Sequence, residues 1–250
     1  MRRLLLAAAL CVSATTTARP QGYEQGTKSP ALANTERAKP TVNVQEVPYA
    51  PLQVSGETKW ATADQQMFEV YFTVTNVGSR PVRAYTVRVV HGVETQEGGG
   101  CYLNNVEKRG KILQASQSVG RSTWRPAQPS DPQPAVELAL DFIEFTDGGT
   151  WGGDTCQSAE RLKGLRAGAR VAKAHFKKKL DEKGVDDLVK KLYADDPALA
   201  PPEGHSDAWK AGFRGAINSL RERIRQANVE GGLPEVEDAL ERPFDTTDNQ

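Results

Sequence analysis

The chain is poor in sulfur, with three cysteines and two methionines among 250 residues. That excludes a disulfide-dense miniature scaffold and a methionine-rich docking surface. It also lacks net charge: 32 Lys and Arg stand against 32 Asp and Glu. No global field draws it to nucleic acid or to a membrane. Past the N-terminus no apolar run approaches the roughly 20 residues that cross a bilayer. Its three histidines, His91, His175 and His205, lie in separate segments without paired spacing, so no zinc or copper site is expected. Asp141, Glu144, Asp147 and Asp154 surround a glycine-rich loop, but the D-x-D-x-D-G order that calcium loops need is missing. The nucleophile elbow, the phosphate-cradling loop, the dinucleotide fingerprint and C-x-x-C are missing too. The expectation is a protein without cofactor and without catalysis.

What is present begins with an export signature. Met1-Arg2-Arg3 is followed by the apolar run Leu4 to Val12 and then by small residues, with cleavage sites after Ala14 or Ala18. Residues 1–18 are therefore expected to be a signal peptide, which places the mature protein in the periplasm or outside the cell. Cys11 leaves with it; Leu10 before it argues against lipidation. Cys101 and Cys156 remain, each beside a glycine-rich loop. In an oxidising compartment they are expected to pair. Residues 19–39, with Pro20, Gly22, Gly26 and Pro30, read as a disordered linker.

From residue 40 to 156 the apolar pattern has period two. Phe68, Val70, Phe72 and Val74 alternate with polar residues, then Tyr85, Val87 and Val89 do so, and later Val136, Leu138, Leu140 and Phe142. A strand points successive side chains to opposite faces, so these are half-buried strands. The phase flips at Ile143, which predicts a β-bulge. Asp147-Gly148 predicts a hairpin, and Asn76 to Pro81 a turn joining sheet neighbours or forming a corner. Tyr102 to Gln114 and Ser116 to Trp124 read as weaker strands. Phe68 to Val82, with its V-x-N-x-G-x-x-P-V run, resembles the strand-turn-strand of bacterial extracytoplasmic Ig-like domains, including the cell-adhesion-related type and relatives of fibronectin type III. The resemblance implies an antiparallel Ig-like β-sandwich; it implies no activity and transfers no functional residue.

After Cys156 the spacing becomes helical, and residues 157–229 are expected to form a helical region. Leu162, Leu165, Ala169, Ala172, Phe176 and Leu180 make one stripe, ending near Gly184. Val185, Leu188, Val189 and Leu192 make a short second one. Trp209, Phe213, Ala216 or Ile217, Leu220 and Ile224 make a third, capped by Ser206 or Asp207. Gly164 and Gly168 permit a close helix approach, but they weaken the helix, and their spacing reads as accidental. Residues 230–250, with seven acidic side chains and Arg242, read as a disordered acidic tail.

The sharpest local signal is charge. Arg161 to Lys179 holds eight Lys and Arg and no acid. Lys163, Arg166, Arg170, Lys173 and Lys177 form one stripe, suited to a protein or anionic envelope polymer and not to specific nucleic-acid readout. The competing outcome is that the acidic tail folds back onto it. Trp60, Trp124 and Trp151 suit a carbohydrate face, though sandwich tryptophans more often pack. The leading expectation is an exported non-enzymatic interaction or structural protein of the cell envelope. The alternatives are an envelope hydrolase without a local motif and a component that self-associates through its helices.

Overall fold

The computed structural model describes residues 37–91, 100–105, 112–128 and 131–242. The expected signal peptide, the linker up to residue 36 and the last residues of the acidic tail lie outside them. The described strands are β1 (Thr41–Val44), β2 (Leu52–Trp60), β3 (Met67–Asn76), β4 (Val82–His91), β5 (Gly100–Asn105), β6 (Ser118–Pro126), β7 (Ala135–Phe145) and β8 (Thr150–Trp151). They make two sheets, one in the order β1-β7-β4-β5 with β8 beside β7, the other β2-β3-β6.

Alternation decides the core. Phe68, Val70, Phe72 and Val74 of β3 meet Tyr85, Val87 and Val89 of β4 and Val136, Leu138 and Ile143 of β7 in one buried cluster. Removing such a side chain from water contributes about 1.5–3 kcal/mol each. The turn after β3 is a corner between the sheets. Asn76 holds it from a fully buried position. Its amide donates to the carbonyls of Arg80 and Leu113, each at 2.9 Å, and its Oδ1 accepts from the Gly78 N–H at 3.0 Å. The asparagine in the V-x-N-x-G-x-x-P-V run thus substitutes for missing ladder bonds, and no apolar residue of its size could.

The expected bulge falls on β7. Thr86 of β4 faces Phe142, but its neighbour Val87 faces Leu140, leaving Asp141 as the extra residue. Leu140 and Ile143 both enter the core, while Phe142 turns to the opposite face and meets the helices. At Asp147-Gly148 the hairpin forms, with Gly148 at φ 85° and the Asp147 carboxylate accepting from the Gly149 N–H at 2.9 Å.

Three expectations need correction. The sheets are not wholly antiparallel, because β1 pairs with β7 in parallel, Thr41 opposite Ala135. No hairpin joins these two strands, so nothing forces opposite directions; Val42 and Val44 pack against the core in this setting. The segment expected to run as a strand from Tyr102 to Gln114 ends its ladder at Asn105, and Leu113 makes a single bridge to Val82. The linker is also not loose at its end: Arg37 donates to the Gln65 carbonyl at 2.9 Å and the Gln128 carbonyl at 2.6 Å.

The C-terminal half is α1 (Ser158–Lys190), α2 (Asp207–Gly231) and α3 (Leu233–Glu241). Helix α1 is kinked at Gly184, whose φ of 78° only glycine adopts without strain. Ser206 caps α2, its Oγ accepting from the Trp209 N–H at 3.2 Å. Helix α3 lies where a disordered tail was expected. Val236, Ala239 and Leu240 line one of its faces and are buried in the cluster of α1 and α2. The glycine spacing is not accidental. A Cβ on Gly164 would overlap the Trp209 backbone, one on Gly168 the Phe213 backbone, and one on Gly212 the Arg161 carbonyl. Helices α1 and α2 therefore cross backbone to backbone at these positions.

Candidate functional site

Several polar groups gather where the strands meet the helices. Ala84 and Phe142 on the outer face of β4 and β7 pack against Leu162 of α1. Beside them the Thr86 hydroxyl donates to the buried Ser158 hydroxyl at 2.7 Å. The bulge residue Asp141 reaches the loop before α1: its carboxylate accepts from the N–H groups of Thr155 and Cys156, each at 3.0 Å, and from the Thr155 hydroxyl. Asp154 sits on the open first turn of α1, accepting from the N–H of Ser158 at 2.5 Å and of Ala159 at 3.1 Å. A carboxylate there satisfies orphan donors and complements the helix dipole. The carboxylates weighed for calcium thus hold the junction together, except Asp147, which pairs with Arg80.

Cys101 on β5 and Cys156 before α1 stand at disulfide distance, with Cα atoms 6.0 Å apart. That separation is central to the range a disulfide spans. The bond would tie an edge strand to the start of the helical region.

The basic stripe is distributed unevenly. Lys163 is exposed and pairs with Glu160 at 2.7 Å. Arg166 forks onto Glu144 of β7, with Nη1–Oε1 at 3.0 Å and Nη2–Oε2 at 2.9 Å. Glu144 is 8% exposed and also has Arg83 at 3.6 Å, so this pair joins helix to sheet. Lys173 and Lys177 both reach Glu241 at the end of α3, at 2.9 and 2.8 Å. Hydrogen bonds from Lys177 and Lys173 hold the Glu241 carboxyl well below its ordinary 4.5, down to about 2. Arg170 is exposed and has no ion-pair partner among the described residues. On the inner side Leu162, Leu165 and Phe176 are buried, as the offset periodicity requires. The acidic segment does fold onto the stripe, through a helix.

The structure brings together a second set of cations that sequence reasoning missed. A crevice of about 210 Å³ opens between the edge strands β5 and β6 and the helices α1 and α2. Buried Phe72 and Tyr85 line it; Asn104, Arg121, Arg161 and Ser219 add polar groups to the lining, and Gly215 of α2 faces open space. Arg121 Nη2 donates to Asn104 Oδ1 at 3.2 Å, and Asn104 Nδ2 donates to the Tyr85 hydroxyl at 2.7 Å. Burial pushes the Tyr85 phenol up to about 12. Arg121 and Arg161 make no ion pair with a described carboxylate. No local signal marks this set, because Tyr85, Asn104, Arg121 and Arg161 come from four elements.

The histidines do not converge. Half-buried His175 lies 3.3 Å from Asp196, which also takes Lys179 at 2.8 Å. Burial and neighbouring cations lower the His175 pKa against the pull of Asp196. His205 stacks on Trp209 with ring centroids 3.8 Å apart. Nor do the tryptophans form one face: Trp60 and Trp151 pack against the core, whereas Trp124 is exposed.

No protein-family model matches the chain, and no curated protein sequence does. Among solved structures, a Bordetella pertussis protein named ApaA is similar at 14% identity over 40% of this chain and 84% of its own, with a TM-score of 0.29. A structural-genomics target, SoR45, is similar at 7% identity over 40% of this chain and 79% of its own, with a TM-score of 0.27. Likenesses this slight carry no argument about the fold or the task of this chain. No described helix is long and apolar enough to cross a membrane.

Proposed function

We propose that the chain is an exported, non-enzymatic binding protein of the cell envelope, an Ig-like sandwich braced by a helical region, with a protein or anionic polymer as partner. The observation that carries the reading is the Cys101–Cys156 pair. Its geometry suits a disulfide, and such bonds persist in oxidising compartments. The export signature at Arg2-Arg3 and Leu4 to Val12 supports the same compartment. The helices support binding by rigidity, since Asp141 and Glu144 of β7 hold the start of α1 and Asp154 caps its first turn. A rigid junction holds a contact surface in one shape and lowers the ordering cost of association.

The test is thiol trapping on fractionated cells that express the full chain. The expected result is mature protein outside the cytoplasm, without residues 1–14 or 1–18 and with both thiols blocked to alkylation. Cytoplasmic protein that retains Met1 and two free thiols would overturn the reading.

A further inference from the structure

We propose that the crevice between the β5–β6 edges and helices α1 and α2 is a binding site for a small oxyanion group, above all a carboxylate.

The direction of the hydrogen bonds carries it. Arg121 can only donate, so the Asn104 atom facing it must be the carbonyl oxygen. That fixes the Asn104 amide nitrogen toward Tyr85, whose hydroxyl therefore accepts. The phenol keeps its proton, because burial disfavours the phenolate. That proton has no acceptor among the described residues, although Tyr85 is only 1% exposed. A buried O–H without an acceptor costs free energy unless something in the crevice accepts it.

The rest of the lining has the same sense. Arg161 on α1 and the remaining N–H groups of Arg121 are donors, and the Ser219 hydroxyl can donate. No carboxylate lines the crevice to take these donors. Two arginines and a phenol lining one space suit an atom group that is planar, negative and rich in acceptors. A volume of about 210 Å³ falls under the roughly 300–1,000 Å³ of drug-sized sites. The occupant is thus a small anion or the single terminal group of something larger. Gly215 on α2 leaves open space on the helix side.

Isothermal titration of the full mature chain at low salt tests the site. The probes are acetate, inorganic phosphate, and acetyl-trialanine as free acid and as C-terminal amide. Saturable millimolar or tighter binding of acetate or the free acid is expected, with the amide at least about tenfold weaker, since it loses a charge-assisted bond. Acetate binding as tightly as the peptide acid would indicate a small-molecule ligand; a tighter peptide acid would indicate a chain terminus. Arg161→Gln and Arg121→Gln should each weaken binding about tenfold, Tyr85→Phe severalfold, and Lys191→Gln, an exposed lysine paired with Asp187, not at all. Arg161 is exposed, so Arg161→Gln should fold normally and carries the test if the buried variants are unstable. No saturable binding of any probe would overturn the proposal. Binding unchanged in Arg161→Gln and Arg121→Gln, or lost equally in Lys191→Gln, would overturn it as well.

Discussion

Two groups of cations lie on this molecule, and they differ in what faces them. The stripe on α1 is dense in sequence, yet four of its five members have internal partners: Lys163 with Glu160, Arg166 with Glu144, and Lys173 and Lys177 with Glu241. The crevice holds only Arg121 and Arg161, drawn from β6 and α1, and no carboxylate lines it. The difference teaches that charge density along a helix says little about charge available to a partner. Availability depends on which carboxylates the fold brings back. Here Glu144 comes from a sheet and Glu241 from a helix folded over the stripe.

The contrast can be broken by degrees. The largest expected effect comes from the proposed Cys101–Cys156 disulfide, which would tie β5, a wall of the crevice, to the loop before α1. Replacing Cys101 and Cys156 by serine opens a loop with a sequence separation of 55. Stability to urea should fall by about 4 kcal/mol in the chain-entropy model. A loss under about 1 kcal/mol would mean that the bond does not form or that the unfolded chain keeps structure that already restricts the loop.

Next comes Glu144→Ala. It removes the largely buried carboxylate that pairs with both Arg166 and Arg83. Breaking a buried pair costs about 3–5 kcal/mol, and the partial exposure of both arginines reduces the expectation to about 2. Chemical denaturation of single and double variants measures it. If Glu144→Ala together with Arg166→Ala costs the sum of the single changes, the pair has no coupling.

The smallest effect is the acid response of α3. The folded pKa of Glu241 lies below its ordinary 4.5, near 2. Its contribution is therefore present above about pH 4.5 and lost as pH falls toward 2. Amide exchange in Val236 to Leu240 should accelerate across that window, relative to the intrinsic rate, and Glu241→Gln should flatten the dependence. The pair is exposed, so salt should weaken it.

Much of this architecture was legible in residue order. The strands follow from alternation at Phe68 to Val74 and Tyr85 to Val89, and the bulge from the phase flip before Ile143. The helical stripes follow from the spacing of Trp209, Phe213, Leu220 and Ile224. What stayed hidden has a physical reason in each case. Helix α3 carries Val236, Ala239 and Leu240 at helical spacing, but acidic residues around them gave the segment the composition of a disordered tail. The parallel setting of β1 depends on a partner nearly a hundred residues away, beyond any local pattern. Gly164 and Gly168 gain meaning only opposite Trp209 and Phe213 of α2. The crevice is hidden for the same reason: the sequence around Tyr85, Asn104 or Arg121 does not reveal that they form one hydrogen-bonded chain.

The contrast between the two groups of cations is tested most directly by one nuclear magnetic resonance titration. The side-chain N–H signals of arginine and lysine are followed in the full mature chain while inorganic phosphate is added at low salt. The account predicts that Arg121 and Arg161 shift first and saturate together, Arg170 responds weakly without saturation, and Lys173 and Lys177 stay near their starting positions. Saturating shifts at Lys173 and Lys177, with Arg121 and Arg161 unmoved, would contradict it.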